Sequence, residues 1–214
     1  MLRYLPFVAL LFMSSLMWSC QRDDHTYAII ETNLGNMKIM LYNTTPKHRD
    51  NFIKLAQEGY YDSLLFHRVI NGFMIQGGDP DSRTAPAGQQ LGMGGPGYEI
   101  DPEIGAPHLR GALAAARNNN PQKKSSGSQF YLVQGQIVND AYLDQIETQK
   151  GVKYSPEQRK MYKEVGGAPF LDNDYTVFGE VVEGMDIINK IASVQTDGND
   201  RPLEPVRMAI HLVK

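Results

Sequence analysis

From Leu64 to Gln76 two apolar runs flank Asn71-Gly72, and no other stretch restricts the fold as strongly. Asn-Gly suits a tight hairpin turn because both residues tolerate positive φ. The first run, Leu64 to Ile70, is aliphatic or aromatic except at His67 and Arg68, and the second, Phe73 to Ile75, ends at Gln76. Strands of this composition bury at least one face, yet these two carry a guanidinium and a carboxamide. Arginine is almost never buried unpaired. Arg68 therefore either meets a carboxylate such as Asp79 or waits in a partly open pocket for a ligand with a carbonyl.

More short strands surround this hairpin. Thr26 to Glu31 and Met37 to Tyr42 flank the turn Asn33-Leu34-Gly35-Asn36, and Tyr98 to Ile100, His108 to Ala115, Ser128 to Gln134, Tyr175 to Val182 and Val206 to Val213 are further strand-like runs. Thr44-Thr45-Pro46 opens a helix of about three turns, with Phe52, Leu55 and Ala56 on one face and a stop at Gly59. Met185 to Val194 forms another, with Ile188, Ile191 and Ala192 inward. Asp79 to Gly97 is a long loop rich in Gly, Pro, Ser and Thr, of a kind that is usually functional or mobile. Asn139 to Thr148 and Ser155 to Val165 have helical spacing, the second opened by the capping box Ser155-Pro156-Glu157-Gln158, and together they form an inserted helical hairpin. About eight strands with two helices outside that hairpin make a mainly β domain. A closed barrel plugged by helices removes exposed edges, and periodicity does not separate it from a sandwich.

Residues 1–19 read as an export signal. Arg3 supplies positive charge, Leu5 to Met13 is almost wholly apolar, and Ser14 to Ser19 is polar and small before Cys20, the single cysteine. At ~15 residues this stretch is shorter than the ~20 needed to span a bilayer as a helix. The pattern resembles a bacterial lipoprotein signal, which implies lipidation of Cys20, a polar tether at 20–26 and a folded domain at 27–214. The expected location is the bacterial cell envelope, anchored to a membrane on the periplasmic side or at the outer membrane. A formal net charge of −3, with no basic run longer than Lys123-Lys124, gives nucleic-acid binding no support.

Three blocks resemble the cyclophilin family of peptidyl-prolyl cis/trans isomerases. They are Tyr61 to Gly78, with Phe66-His67-Arg68, Phe73-Met74 and Gln76-Gly77-Gly78; Ser128-Gln129-Phe130; and Phe170-Leu171-Asp172 through Val177-Phe178-Gly179. The similarity spans Tyr27 to Lys214 apart from an insertion at about 137–168. It implies a closed eight-stranded antiparallel β-barrel capped by two α-helices, proline-containing polypeptide clients, no cofactor or metal, and a monomer. It implies Arg68, Phe73 and Gln76 as catalytic residues, with Arg68 donating to the prolyl amide and Gln76 holding the guanidinium. The proline ring would sit among Phe73, Met74, Tyr131 and Leu171, while His67, Gln129, Phe170, Tyr175 and the backbone at Ala116-Arg117 would line the peptide groove. Tyr131, Tyr175 and Phe170 stand where much of the family carries Phe, His and Trp. Substrate choice is therefore expected to differ, and the missing indole N–H at Phe170 implies weak sensitivity to the cyclic peptide cyclosporin.

Other functions fit the residues less well. The histidines, at 25, 48, 67, 108 and 211, have no metal-ligand spacing, and the serines near Ser125 to Ser128 lack a nucleophile elbow. The alternative is a non-catalytic proline-segment binder or holdase of the envelope, and a third class is a membrane-anchored adhesion module in which the hairpin matters more than the groove. Arg68, Phe73 and Gln76 together favour the enzyme, since a pure binder needs no donor with an orienting partner. The hairpin is either decoration or a device that gates the groove or docks a client.

Overall fold

The computed structural model describes residues 25–213, so the expected signal segment and Cys20 lie outside the described residues. β1 (Thr26–Thr32) and β2 (Gly35–Leu41) form the opening hairpin, with Ala28 opposite Ile39 and Ile30 opposite Met37, all fully buried. Gly35 closes the turn at φ +131°, a value that residues with a side chain rarely adopt. In α1 (Pro46–Gln57) the proline stands in the first turn, as the sequence leads one to expect, but the Thr45 side chain does not cap it. The carboxylate of Glu103 accepts from the backbone N–H groups of Lys47 and His48 instead, at 3.0 Å each. Its negative charge complements the helix N-terminus, so a distant loop takes the part of a local motif.

The run from Leu64 to Ile70 is split. Leu64–Leu65 form β3 and Arg68–Ile70 form β4, with a bend at Phe66-His67. There follow β5 (Met74–Gly77), β6 (Glu99–Ile100), β7 (Ala112–Ala115), β8 (Ser125–Ser126), β9 (Phe130–Val133), α2 (Asp140–Lys150), α3 (Pro156–Glu164), β10 (Val177–Glu183), α4 (Met185–Ala192) and β11 (Arg207–Leu212). The main sheet is antiparallel in the order β3-β11-β1-β2-β10-β7-β9-β5-β4, and β6 and β8 pair separately. Where the sequence leads one to expect eight strands in a closed barrel, the ladder has nine and is open. The end strands are β3, which pairs with β11, and β4, which pairs with β5, and the two do not pair with each other. The fold is thus mostly sheet with four helices among the described residues, and the sheet is curled.

Two apolar clusters lie on opposite faces of the central strands. In one, α1 and α4 pack Phe52, Leu55, Ile188 and Ile191 against Ile39, Ile75, Leu113, Leu132 and Phe178. Phe52 is its hub, with ring centroids 5.3 Å from Tyr61, 5.6 Å from Phe178 and 5.8 Å from Phe130. The other holds Met74, Ala114, Ala116, Tyr131, Val133, Leu171 and Val177. Strand alternation does the sorting: along β9, Phe130 and Leu132 face the first cluster while Tyr131 and Val133 face the second. With both faces covered, these strands read as unbroken apolar runs.

Candidate active site

The face that carries Met74 also carries Gln76. Gln76 stands opposite Arg68 in the β4–β5 ladder and opposite Tyr131 in the β5–β9 ladder. Register therefore brings an arginine, a glutamine and a tyrosine to neighbouring positions on three strands. With Phe73, Met74, Ala116, Arg117, Leu171 and Tyr175 they line a cavity of about 180 Å³. A cavity of ~150 Å³ holds benzene, so a pyrrolidine ring fits.

The walls come from different parts of the chain. Leu171 and Phe170 belong to the helical turn Pro169–Leu171 that follows α3, and Phe170, 41% exposed, tilts against Phe73 at the rim with ring centroids 5.2 Å apart. Arg117 is tied down, since its Nε donates to the Asp174 carbonyl at 2.9 Å and its guanidinium lies 4.8 Å over the Tyr175 ring. Arg68 is not. Its side chain is 45% exposed, and among the described residues its one hydrogen bond runs from Nε to Asp200 Oδ2 at 3.4 Å. A guanidinium has five N–H donors, so four remain for a ligand.

Three of the sequence expectations need correction. Asp79, a candidate carboxylate for Arg68, is fully buried elsewhere: Oδ1 accepts from the Asp81 N–H and Oδ2 from the N–H groups of Gly92 and Gly94. It folds the 79–97 loop back on itself. Gln76 does not hold the guanidinium. Its Nε2 donates to Gln129 Oε1 at 3.1 Å, and Gln129 Nε2 donates to the Gly94 carbonyl at 2.7 Å. These amides fasten the loop to the sheet beside a second cavity, of about 330 Å³, which Gln129, Gly94, Tyr98 and Asn118 line and which shares Gln76, Ala116 and Arg117 with the first.

His67 is the third. It lies buried between β3 and β4, where it lines neither cavity and, among the described residues, neither ring nitrogen has a hydrogen-bond partner. Burial pulls its pKa down to about 4, against the opposing pull of the Asp79 charge. The unfolded chain thus takes up this proton more readily than the folded one, so stability falls as pH drops from ~6.5 to ~4, by up to ~3 kcal/mol. Thermal melts between pH 7 and pH 4 are expected to show that decline, and His67→Phe to flatten it. An unchanged slope in the variant would assign the acid sensitivity to another group, such as His48, whose pKa burial also lowers.

Sequence reasoning missed the support beneath Tyr131. His108 is fully buried and stacks on the Tyr131 ring at an interplanar angle of 12°, with Nε2 3.0 Å from the hydroxyl and Nδ1 2.7 Å from Asp172 Oδ1. Asp172 carried a signal in the Leu171-Asp172 block, whereas His108 was one of several scattered histidines.

Known proteins share both sequence and fold with this chain. Residues 27–211 match the family model described as cyclophilin type peptidyl-prolyl cis-trans isomerase/CLD. A Staphylococcus aureus (strain COL) protein named as a peptidyl-prolyl cis-trans isomerase is 39% identical over 179 residues, covering 83% of this chain and 86% of that one. A Staphylococcus haemolyticus (strain JCSC1435) protein of the same name is 36% identical over 187 residues, covering 86% and 89%. The crystal structure of a Cryptosporidium parvum cyclophilin type peptidyl-prolyl cis-trans isomerase superposes with a TM-score of 0.63 at 26% identity, covering 89% of this chain and 98% of that one. The same protein crystallised in the presence of the dipeptide Ala-Pro gives 0.62, covering 88% and 99%. Matched over most of its length in sequence and in fold, the chain belongs to the cyclophilin-type peptidyl-prolyl cis-trans isomerase family.

Proposed function

We propose that the cavity beside Arg68 seats the proline of an X-Pro segment, and that Arg68 donates a hydrogen bond to the prolyl nitrogen as the amide twists. Rotation about this bond works against amide resonance, with a barrier near ~20 kcal/mol and unaided times of tens to hundreds of seconds. No bond breaks, so neither a nucleophile nor a metal is needed. Twisting localises the lone pair on nitrogen, and a donor placed there binds the twisted amide more strongly than either planar form. The observation that carries this reading is a half-exposed arginine, with four N–H groups uncommitted among the described residues, lining an apolar cavity large enough for proline. Phe73, Met74, Tyr131 and Leu171 then hold the ring while Gln129 and the Ala116-Arg117 backbone receive the flanking peptide. The bent segment from Leu64 to Ile70, which supplies both end strands of the ladder, is taken to close the barrel through the chain itself.

The signal-like pattern ending at Cys20 supports a lipid-anchored protein of the bacterial envelope that speeds folding of exported chains limited by X-Pro bonds. Mass spectrometry of the cell-derived protein tests the anchor. The activity is tested by a protease-free prolyl isomerisation assay on the chain from Gln21 onward, where a rate above the spontaneous one is expected. A folded protein that leaves the rate unchanged would make the chain a proline-segment binder. Phe170 has no N–H to offer at the rim, so cyclosporin is expected to inhibit weakly, and sub-micromolar inhibition in the same assay would refute that.

A further inference from the structure

A phenol hydroxyl beside an apolar cavity costs free energy unless it is bonded. Tyr131 meets that requirement through His108, whose own orientation is set by Asp172. Asp172 Oδ1 accepts from the His108 backbone N–H at 2.8 Å as well as facing Nδ1. A carboxylate only accepts, so Nδ1 carries a proton towards Asp172, which leaves Nε2 to pair with the Tyr131 hydroxyl. The other oxygen, Oδ2, accepts from the Tyr162 hydroxyl at 2.6 Å and the Tyr154 hydroxyl at 2.8 Å. Tyr162 is fully buried on α3, and Tyr154 precedes that helix, their rings packed edge to face at 5.4 Å. Burial, then the charge of Asp172, raises the pKa of both phenols, which keeps them donors. A chain of hydrogen bonds with every member paired thus runs from α3 to the proline cavity, and such networks are rigid.

We propose that Tyr162 and Tyr154 are positioning residues for proline recognition: through Asp172 and His108 they fix the tilt of Tyr131, and with it the shape of the cavity. This rests on the reading of that cavity as the proline site. The hydroxyl of Tyr131 is the link, because its bond to His108 directs it away from the cavity and leaves the ring to meet the ligand. On this account α3 and the segment that leads into it are the outer support of the site rather than decoration.

Tyr162→Phe removes one oxygen and no ring atom. In the isomerisation assay KM is expected to rise and kcat/KM to fall by up to about five-fold, the worth of one hydrogen bond, with kcat little changed. Tyr154→Phe acts in the same direction, and because Tyr154 is only half-buried it carries the test should the Tyr162 variant fail to fold. The deciding measurement is a double-mutant cycle. In a Tyr131→Phe background the link is already cut, so Tyr162→Phe has no further effect on KM. Equal losses in both backgrounds, or losses that only track the unfolded fraction seen by circular dichroism, overturn the proposal. Arg68→Ala separates the two readings: full activity there overturns the cavity assignment and this inference with it, whereas an inactive Arg68→Ala beside an unaltered Tyr162→Phe overturns the positioning role alone.

Discussion

Replacing Arg68 with alanine is expected to lower kcat/KM for prolyl isomerisation ~10- to 150-fold while leaving the fold intact. A charge-assisted hydrogen bond is worth ~1.5–3 kcal/mol, and each 1.36 kcal/mol in the barrier is about a factor of ten in rate. The stability cost is expected to be small. The partner, Asp200, is 43% exposed and 3.4 Å away, and pairs of that kind contribute ~0–1 kcal/mol. Arg68→Lys is expected to recover only part of the loss, because an ammonium is a point charge and lacks the planar fork. A variant as fast as wild type would remove Arg68 from the mechanism, and a fall in melting temperature matching the loss of rate would make its role structural. Whatever acceleration survives in Arg68→Ala is assigned to the cavity, which holds the proline ring while the bond turns.

Asp172→Ala is expected to give the largest loss of stability. The carboxylate accepts from the backbone N–H of His108, from the imidazole and from two tyrosine hydroxyls, all in a buried setting. Removing one partner of a buried charged network leaves its donors unmatched, at a cost of ~3–5 kcal/mol. At ~2–4 °C per kcal/mol for a domain of this size, the melting temperature falls by ~6–20 °C. Asp172→Asn keeps the volume but brings an N–H₂ against tyrosine donors, so an intermediate loss is expected. Calorimetry on both variants checks this, and a shift below ~2 °C for alanine would mean that the donors find other partners.

Local features are legible in the residues themselves. The capping box at Ser155 and Gln158 forms with both of its hydrogen bonds, Asn139 caps α2 by accepting from the Tyr142 N–H, and the Asn71-Gly72 turn joins β4 to β5. Arg68, Phe73, Met74, Gln76, Ala116, Arg117, Tyr131, Leu171 and Tyr175 do gather around one cavity, with Gln129 and Phe170 beside it. His67 does not, because a residue at a bend leaves the alternation that its neighbours obey. Nothing near Thr45 in sequence points to Glu103, and nothing near Tyr131 points to His108.

By itself, then, the sequence determined most of the strands, the four helices and the side chains available to the site, because periodicity, caps and turns act over a few residues. Only the tertiary structure decided which polar groups meet. Asp200, 132 positions from Arg68, is the carboxylate that meets it, where the structural alternative offered Asp79; Gln129 takes the amide of Gln76; and Asp172 reaches Tyr131 through His108. A hydrogen bond needs donor and acceptor within ~3 Å, and residues this far apart in the chain reach that distance only once sheet register and the bend at Phe66-His67 have placed them.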